Sequence, residues 1–184
     1  MIQKIKSGKY DVWSTDECHF QQNGTRCRMW IPTEIKNPVI KQEPTCRKIS
    51  VFGTVNNQDG RFMYDISPVF SAETFLEHLK HIIQYKTPKK KILLIIDNAR
   101  YHHATWLIPW LEENKRKIQL FFLQPYSPEL NPVELVWKET RHSEAHNRYF
   151  PTVQSLWESI TEAFDQWGKP NDKFRSLCKI NYGV

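Results

Sequence analysis

The chain has 184 residues, of which 40% are hydrophobic and 25% charged, and a net charge of +6. That is enough for one domain with a buried core, and the composition is ordinary for a globular protein. No apolar run approaches the roughly 18 residues of a membrane span, and the basic start Met1–Lys9 lacks the apolar stretch of a secretion signal.

Tyr10 to Phe20 reads as a strand, with Val12, Ser14 and Asp16 on one face and Trp13, Thr15 and Glu17 on the other. Residues 21–47 are polar and proline-containing, with a short strand expected at Arg26–Ile31. Ile49–Val55 alternates, as do Phe62, Tyr64 and Ile66 after Asn56-Asn57-Gln58-Asp59-Gly60, so a hairpin with a long loop is expected. Ser71 caps a helix whose apolar face is Phe75, Leu76, Leu79, Ile82 and Ile83, and Thr87-Pro88 ends it. Lys91–Ile96 is an apolar strand stopping at Asp97. A helix follows over about Thr105–Lys117, and Ile118–Leu123 is a second buried strand. Asn131 then caps a helix with Pro132 at its first position, running to about His142. Thr152 caps a last clear helix, with Val153, Leu156, Trp157, Ile160, Phe164 and Trp167 on its buried stripe, and Gly168 stops it. Residues 171–184 are weakly patterned.

This order predicts an α/β fold: a mixed five-stranded sheet with helices on both faces. Strand, helix, strand over 91–123 is a βαβ unit, whose strands are parallel and end on the same sheet edge. That edge is where open α/β sheets bind ligands. It gathers Asp97 with the corner carrying Glu134, and Asp16 lies toward the far end of the first strand. Carboxylates crowded at one edge repel one another unless a cation neutralises them, and hard oxygen ligands suit Mg²⁺ or Mn²⁺. Two such ions about 4 Å apart would serve phosphodiester displacement.

The segments Asp97-Asn98-Ala99-Arg100-Tyr101-His102 and Tyr126-Ser127-Pro128-Glu129-Leu130-Asn131-Pro132-Val133-Glu134, with Trp137, resemble the signatures of mariner-type DDE transposases. Asp16-Glu17 matches that family's first acidic pair, and Arg28-Met29-Trp30 its arginine–tryptophan segment. The bacterial insertion-sequence branch is the most similar, and the resemblance covers about Asp11 to Trp167. It implies a ribonuclease H-like fold and a triad of Asp16, Asp97 and Glu134 that is both catalytic and metal-binding, holding two divalent ions. It also implies cleavage of double-stranded DNA at element ends and transfer of the freed 3′-hydroxyl to target DNA by a homodimer assembled on DNA. The expected setting is the bacterial or archaeal cytoplasm, near the nucleoid. The expected organisation is a single catalytic domain over 1–184, with its core at about 10–167 and a tail at 168–184. Family relatives carry helix-turn-helix modules ahead of the catalytic domain. About 15 residues precede Asp16 here, so a truncated chain or a split reading frame is expected. A ribonuclease H-like nuclease or resolvase, and an inactive remnant that only binds DNA, are the alternatives.

Local readings compete at several of these residues. Asn131-Pro132-Val133-Glu134 also fits a capping box, with Glu134 bonded back to the cap. Glu17 competes with Asp16, and Glu129 with Glu134. His102 is expected behind the metal ligands or near DNA, Asn98 to orient a carboxylate or turn the chain, and Trp137 in the core. Lys138 and Arg141, one and two turns past Glu134, are candidates for phosphates or a solvated face. Glu112–Arg116 and Glu113–Lys117 are possible helix pairs. The four cysteines lack paired spacing and read as reduced thiols. The charge permits a polyanion partner, with Lys89-Lys90-Lys91 among the basic clusters.

Overall fold

The computed structural model describes residues 7–28, 30–35, 39, 41, 44–125 and 127–180. Five strands, β1 (Tyr10–Gln21), β2 (Lys48–Asn56), β3 (Phe62–Ile66), β4 (Lys91–Ile96) and β5 (Ile118–Phe122), form one sheet in the order β3-β2-β1-β4-β5. β1 pairs antiparallel with β2 and parallel with β4, β2 antiparallel with β3, and β4 parallel with β5. This is the mixed sheet expected from the sequence, with the longest strand at its centre.

Alternation along the strands divides the core into two layers. On one face, Trp13, Phe52, Ile92, Leu94 and Ile96 pack against Phe75, Leu79 and Ile82 of α1 (Ala72–Gln84) and Leu107 of α2 (Leu107–Glu113). On the other, Cys18, Phe20, Val51, Val55 and Phe62 meet α3 (Val133–Thr140), α4 (Val153–Trp167) and α5 (Asp172–Leu177) through Val133, Val136, Trp137, Leu156, Ile160, Phe164 and Phe174. Ser71 and Thr152 cap α1 and α4 as expected, each in a capping box with the residue three positions on. No helix among the described residues is long and apolar enough to cross a membrane.

Several local expectations are corrected. The described residues of Arg26–Ile31 form no strand; Cys27 instead exchanges backbone hydrogen bonds with the Asn147 side chain, at 2.9 and 3.0 Å. α2 is shorter than 105–117, because Pro109 has no N–H and must sit in a first turn. At the other end, Asn114 closes the helix and its carbonyl accepts the Lys117 amide at 2.7 Å, turning the chain into β5. The pairs expected at Glu112–Arg116 and Glu113–Lys117 give way to Lys115–Glu112 and a Lys117–Asn114 hydrogen bond, both at 3.1 Å. β5 is a half-buried edge strand rather than a fully buried one. α3 ends in a π-helical turn over Arg141–Ala145. Beyond Gly168 the chain is no mere tail: Asn171 caps α5, and Phe174 and Cys178 are fully buried in the second core layer.

Candidate active site

β1 carries an acid on each face where it passes the end of β4. Asp16 points to the α3 side with Cys18 and Phe20; Glu17 points to the α1 side. β4 stops at Asp97, and α3 begins beside both. Asp16, Asp97 and Glu134 thereby line one cavity of about 530 Å³, closed by Asn98, Leu123, Gln124, Pro125, Ser127 and Asn131 among others. Glu17 is not among its lining residues, and neither is Glu129.

Two side chains of the α3 region set Asp16. Asn131 donates from Nδ2 to the Thr15 carbonyl at 3.0 Å, pinning the helix start to β1 one residue before the acid. Trp137, one turn into α3, donates from Nε1 to Asp16 Oδ2 at 3.0 Å while its ring is fully buried. The ring reaches that position over Gly53, which stands opposite Asp16 in β2. A Cβ at Gly53 would lie 2.1 Å from Trp137 Cη2 and 2.7 Å from Phe62 Cζ. Burial, with Glu17 and Glu134 nearby, pushes the Asp16 carboxyl up to about 7.

Asp97 is held differently. Its Oδ1 accepts the Ala99 amide at 3.0 Å and lies 3.0 Å from His102 Nδ1, a close ion pair rather than an aligned hydrogen bond. His102, on a 3₁₀ turn over Arg100–His103, is buried against Phe75, and its Nε2 lies 3.1 Å from Glu17 Oε1. Burial opposes charge on this imidazole, but the carboxylates of Asp97 and Glu17 outweigh it and raise its pKa to about 9. His102 in turn holds Asp97 below its ordinary value. Tyr101 is pushed upward by burial and by its hydrogen bond to Glu17. The ligand atoms of Glu17, Asp97 and His102 lie within 4.8 Å of one another. In the metal-free protein the raised His102 favours an ion-paired brace of the three behind Asp97.

Of the remaining candidates, Asn98 and Asn131 line the cavity, while Arg141 and Lys138 are not among its lining residues. Asn98 donates to the Leu123 carbonyl and its Oδ1 meets His103 Nε2 at 3.3 Å, so it clasps the end of β4 to the end of β5 at the cavity wall. The helix was expected to be capped by Asn131 with Pro132 first; instead Pro132 is the cap residue and the α-helix starts at Val133, whose amide Asn131 Oδ1 accepts at 3.4 Å. Among the described residues Glu134 forms no capping-box bond to Asn131. It stands in the first turn of α3, where the helix dipole favours a carboxylate. Arg141 turns inward: its Nη2 donates to Cys18 Sγ at 3.0 Å and its guanidinium lies 5.9 Å from the Phe20 ring centre. Lys138 is exposed on a different hollow, shared with Arg28, Trp30 and His142. The Asn131–Thr15 and Trp137–Asp16 bonds escape a sequence reading. A glycine inside β2 does signal a close approach there, and a buried tryptophan N–H needs an acceptor.

The model of the DDE superfamily endonuclease family matches residues 11–157. The Sinorhizobium fredii "Uncharacterized protein y4pE/y4sA" is 32% identical over 130 residues, covering 71% of this chain and 90% of that protein. The Mos1 transposase paired-end complex with the left transposon end superposes with a TM-score of 0.70 at 18% identity, over 96% of this chain and 54% of that one. The Mos1 mariner paired-end complex with Mn gives 0.68 at 17% identity, over 96% and 54%. At such identities the likeness is one of fold, the ribonuclease H-like fold expected from the sequence. The chain spans about half the length of these transposase chains.

Proposed function

Because this chain belongs to the DDE superfamily endonuclease family, we propose that it is a transposase catalytic domain that cuts DNA with Asp16, Asp97 and Glu134. The observation that carries this reading is the convergence of the three carboxylates, from β1, β4 and α3, on one cavity. Their donor set is all oxygen; burial first, and the neighbouring Glu17 and Glu134 after it, raise the Asp16 carboxyl, and a bound cation would favour its ionised form. The three would hold Mg²⁺ or Mn²⁺, two ions when complete, supplying charge neutralisation at the reacting phosphate. Similarity in fold to a paired-end complex with Mn supports that choice of group.

The protein's own part is positioning. Trp137 and Asn131 fix Asp16 against α3, His102 braces Asp97, and Asn98 holds the two strand ends together. In the first step water attacks a phosphodiester at the element's end and the 3′-oxygen leaves, giving a 3′-hydroxyl and a 5′-phosphate. In the second, that 3′-hydroxyl attacks a target phosphodiester and displaces the target's own 3′-oxygen. Neither step forms a bond to the enzyme, so rate comes from orientation and electrostatics. We assign the work to a dimer on double-stranded DNA.

Nicking of supercoiled plasmid in Mn²⁺ tests the first step. Asp97→Asn and Glu134→Gln should each lower the rate by about a hundred-fold or more. Equal nicking by wild type and both variants would reject the assignment. Strand transfer by a pre-cut duplex bearing sequence from beside the gene tests the second step and separates a transposase from a simple nuclease.

A further inference from the structure

The acidic cavity contributes no lysine or arginine among its described lining residues. At the opposite edge of the sheet, where β1 and β4 begin, lies a larger hollow of about 780 Å³. Lys90, Arg175 and Lys179 line it, with Asp172 as the acid among the described lining residues. Asp172 pairs with Arg175 at 3.0 Å, which leaves an excess of positive charge. The adjoining Asp11 carboxylate is buried and accepts hydrogen bonds from Asn56 and Thr87, so its oxygens are taken up inside the fold and do not face the hollow's surface. Lys89 sits beside the hollow in a left-handed backbone conformation, φ 64°. Asparagine or glycine would take that conformation at lower cost.

The floor is built rather than loose. Asn57 accepts from the Ser14 hydroxyl and donates to the Cys178 carbonyl, both at 2.9 Å, which ties α5 to the strand ends. From Lys91 to Asp97 the chain advances six residues in extended conformation, about 20 Å at the usual rise per residue. The basic hollow and the acidic cavity are thus separated by the length of β4. Exposed Lys89, Arg175 and Lys179, with half-buried Lys90, are suited to phosphates as point charges, without base contacts.

We propose that this far-edge hollow is a second DNA-docking surface, seating backbone phosphates of a duplex segment distinct from the one being cut. The inference rests on the endonuclease reading above for its choice of polyanion. The test is direct binding of the full chain to a labelled 30-base-pair duplex of arbitrary sequence, in EDTA, over a salt series. Replacing Lys89, Lys90, Arg175 and Lys179 by alanine should reduce the slope of log affinity against log salt by about three. Affinity at low salt should fall roughly ten-fold or more, with an unchanged melting curve. The proposal is overturned if that variant keeps the wild-type slope and affinity. It is also overturned if neutralising Lys115, Arg116 and Lys117 causes the same loss, since net charge alone would then explain binding. Binding lost only to anionic vesicles or inorganic phosphate, with duplex binding intact, rejects it too. The assay needs no cleavage, so an inactive wild type would remove the proposed function and leave this result standing.

Discussion

Trp137 does two things with one side chain. Its ring fills the space over Gly53, and its N–H fixes the carboxylate across from it. Trp137→Phe keeps most of the ring and removes the hydrogen bond. A hydrogen bond to a charged group contributes about 1.5–3 kcal/mol, so Mn²⁺-dependent nicking should fall about ten-fold or more, with a shifted Mn²⁺ titration midpoint. If the variant nicks at the wild-type rate, Asp16 does not depend on this contact. His102 is the other residue whose loss should be selective. His102→Gln retains a polar side chain but removes the cation between Glu17 and Asp97, so the metal-free protein should lose stability at pH 6 far more than at pH 9. Asp97 and Glu134 stand out in the sequence because one sits where a strand ends and the other where a helix begins, whereas Asp16 is preferred to Glu17 through the family resemblance. His102 was expected behind the metal ligands, five positions from Asp97, but the indole bond to Asp16 and the imidazole contact to Glu17 were not, since contacts between residues more than 80 positions apart leave no local pattern.

Among the elements, periodicity placed α1 and α4 well but not every side chain on them: Trp157, expected on the buried stripe of α4, is exposed. β4 and α1 have apolar runs that only one burial pattern satisfies, and their bounds match the structure. β5 looked equally apolar, but its place at the sheet edge leaves it half exposed. α5 was missed because six residues give too little period to detect, yet Phe174 packs edge-on to Trp167 with ring centres 4.7 Å apart. Phe174→Ala should therefore cost about 3–5 kcal/mol in denaturant melts, as a core position does. Little change would mean that α5 is peripheral. Gly53→Ala meets the Trp137 and Phe62 rings head-on, and overpacking of this kind costs about 1–3 kcal/mol. It should also disturb Asp16, so nicking should fall along with the melting midpoint.

For the molecule as a whole, the site sets a pH dependence with a definite sign. Asp16 has its folded pKa raised to about 7, so it binds more protons folded than unfolded, and stability falls as pH rises toward 7. His102 is raised to about 9; its contribution is complete below its ordinary value near 6.5 and is lost as pH rises through 9. Both act in the same direction, so the metal-free protein should melt at a lower temperature at pH 9 than at pH 6. A divalent cation binds the ionised carboxylates of the folded state and adds stability by mass action. The rise in melting temperature on adding Mn²⁺ should be larger at pH 8 than at pH 6, and absent in Asp97→Asn. Thermal melts with and without EDTA measure both effects, and a Mn²⁺ shift independent of pH would contradict the raised Asp16.

Two acids in a row on the central strand have one more effect. Neighbouring positions on an extended chain look opposite ways, so the pairing of β1 with β2 and β4 decides which carboxylate the solvent-filled side receives. Losing one residue between Tyr10 and Ser14 would leave the composition almost unchanged and turn the strand inside out if the tyrosine end stayed anchored. Glutamate, a methylene longer, would then stand where aspartate stood, and the indole N–H would find no acceptor at its old distance. A frame error of one residue in this strand would therefore swap the chemical identity of the centre, not merely loosen the sheet.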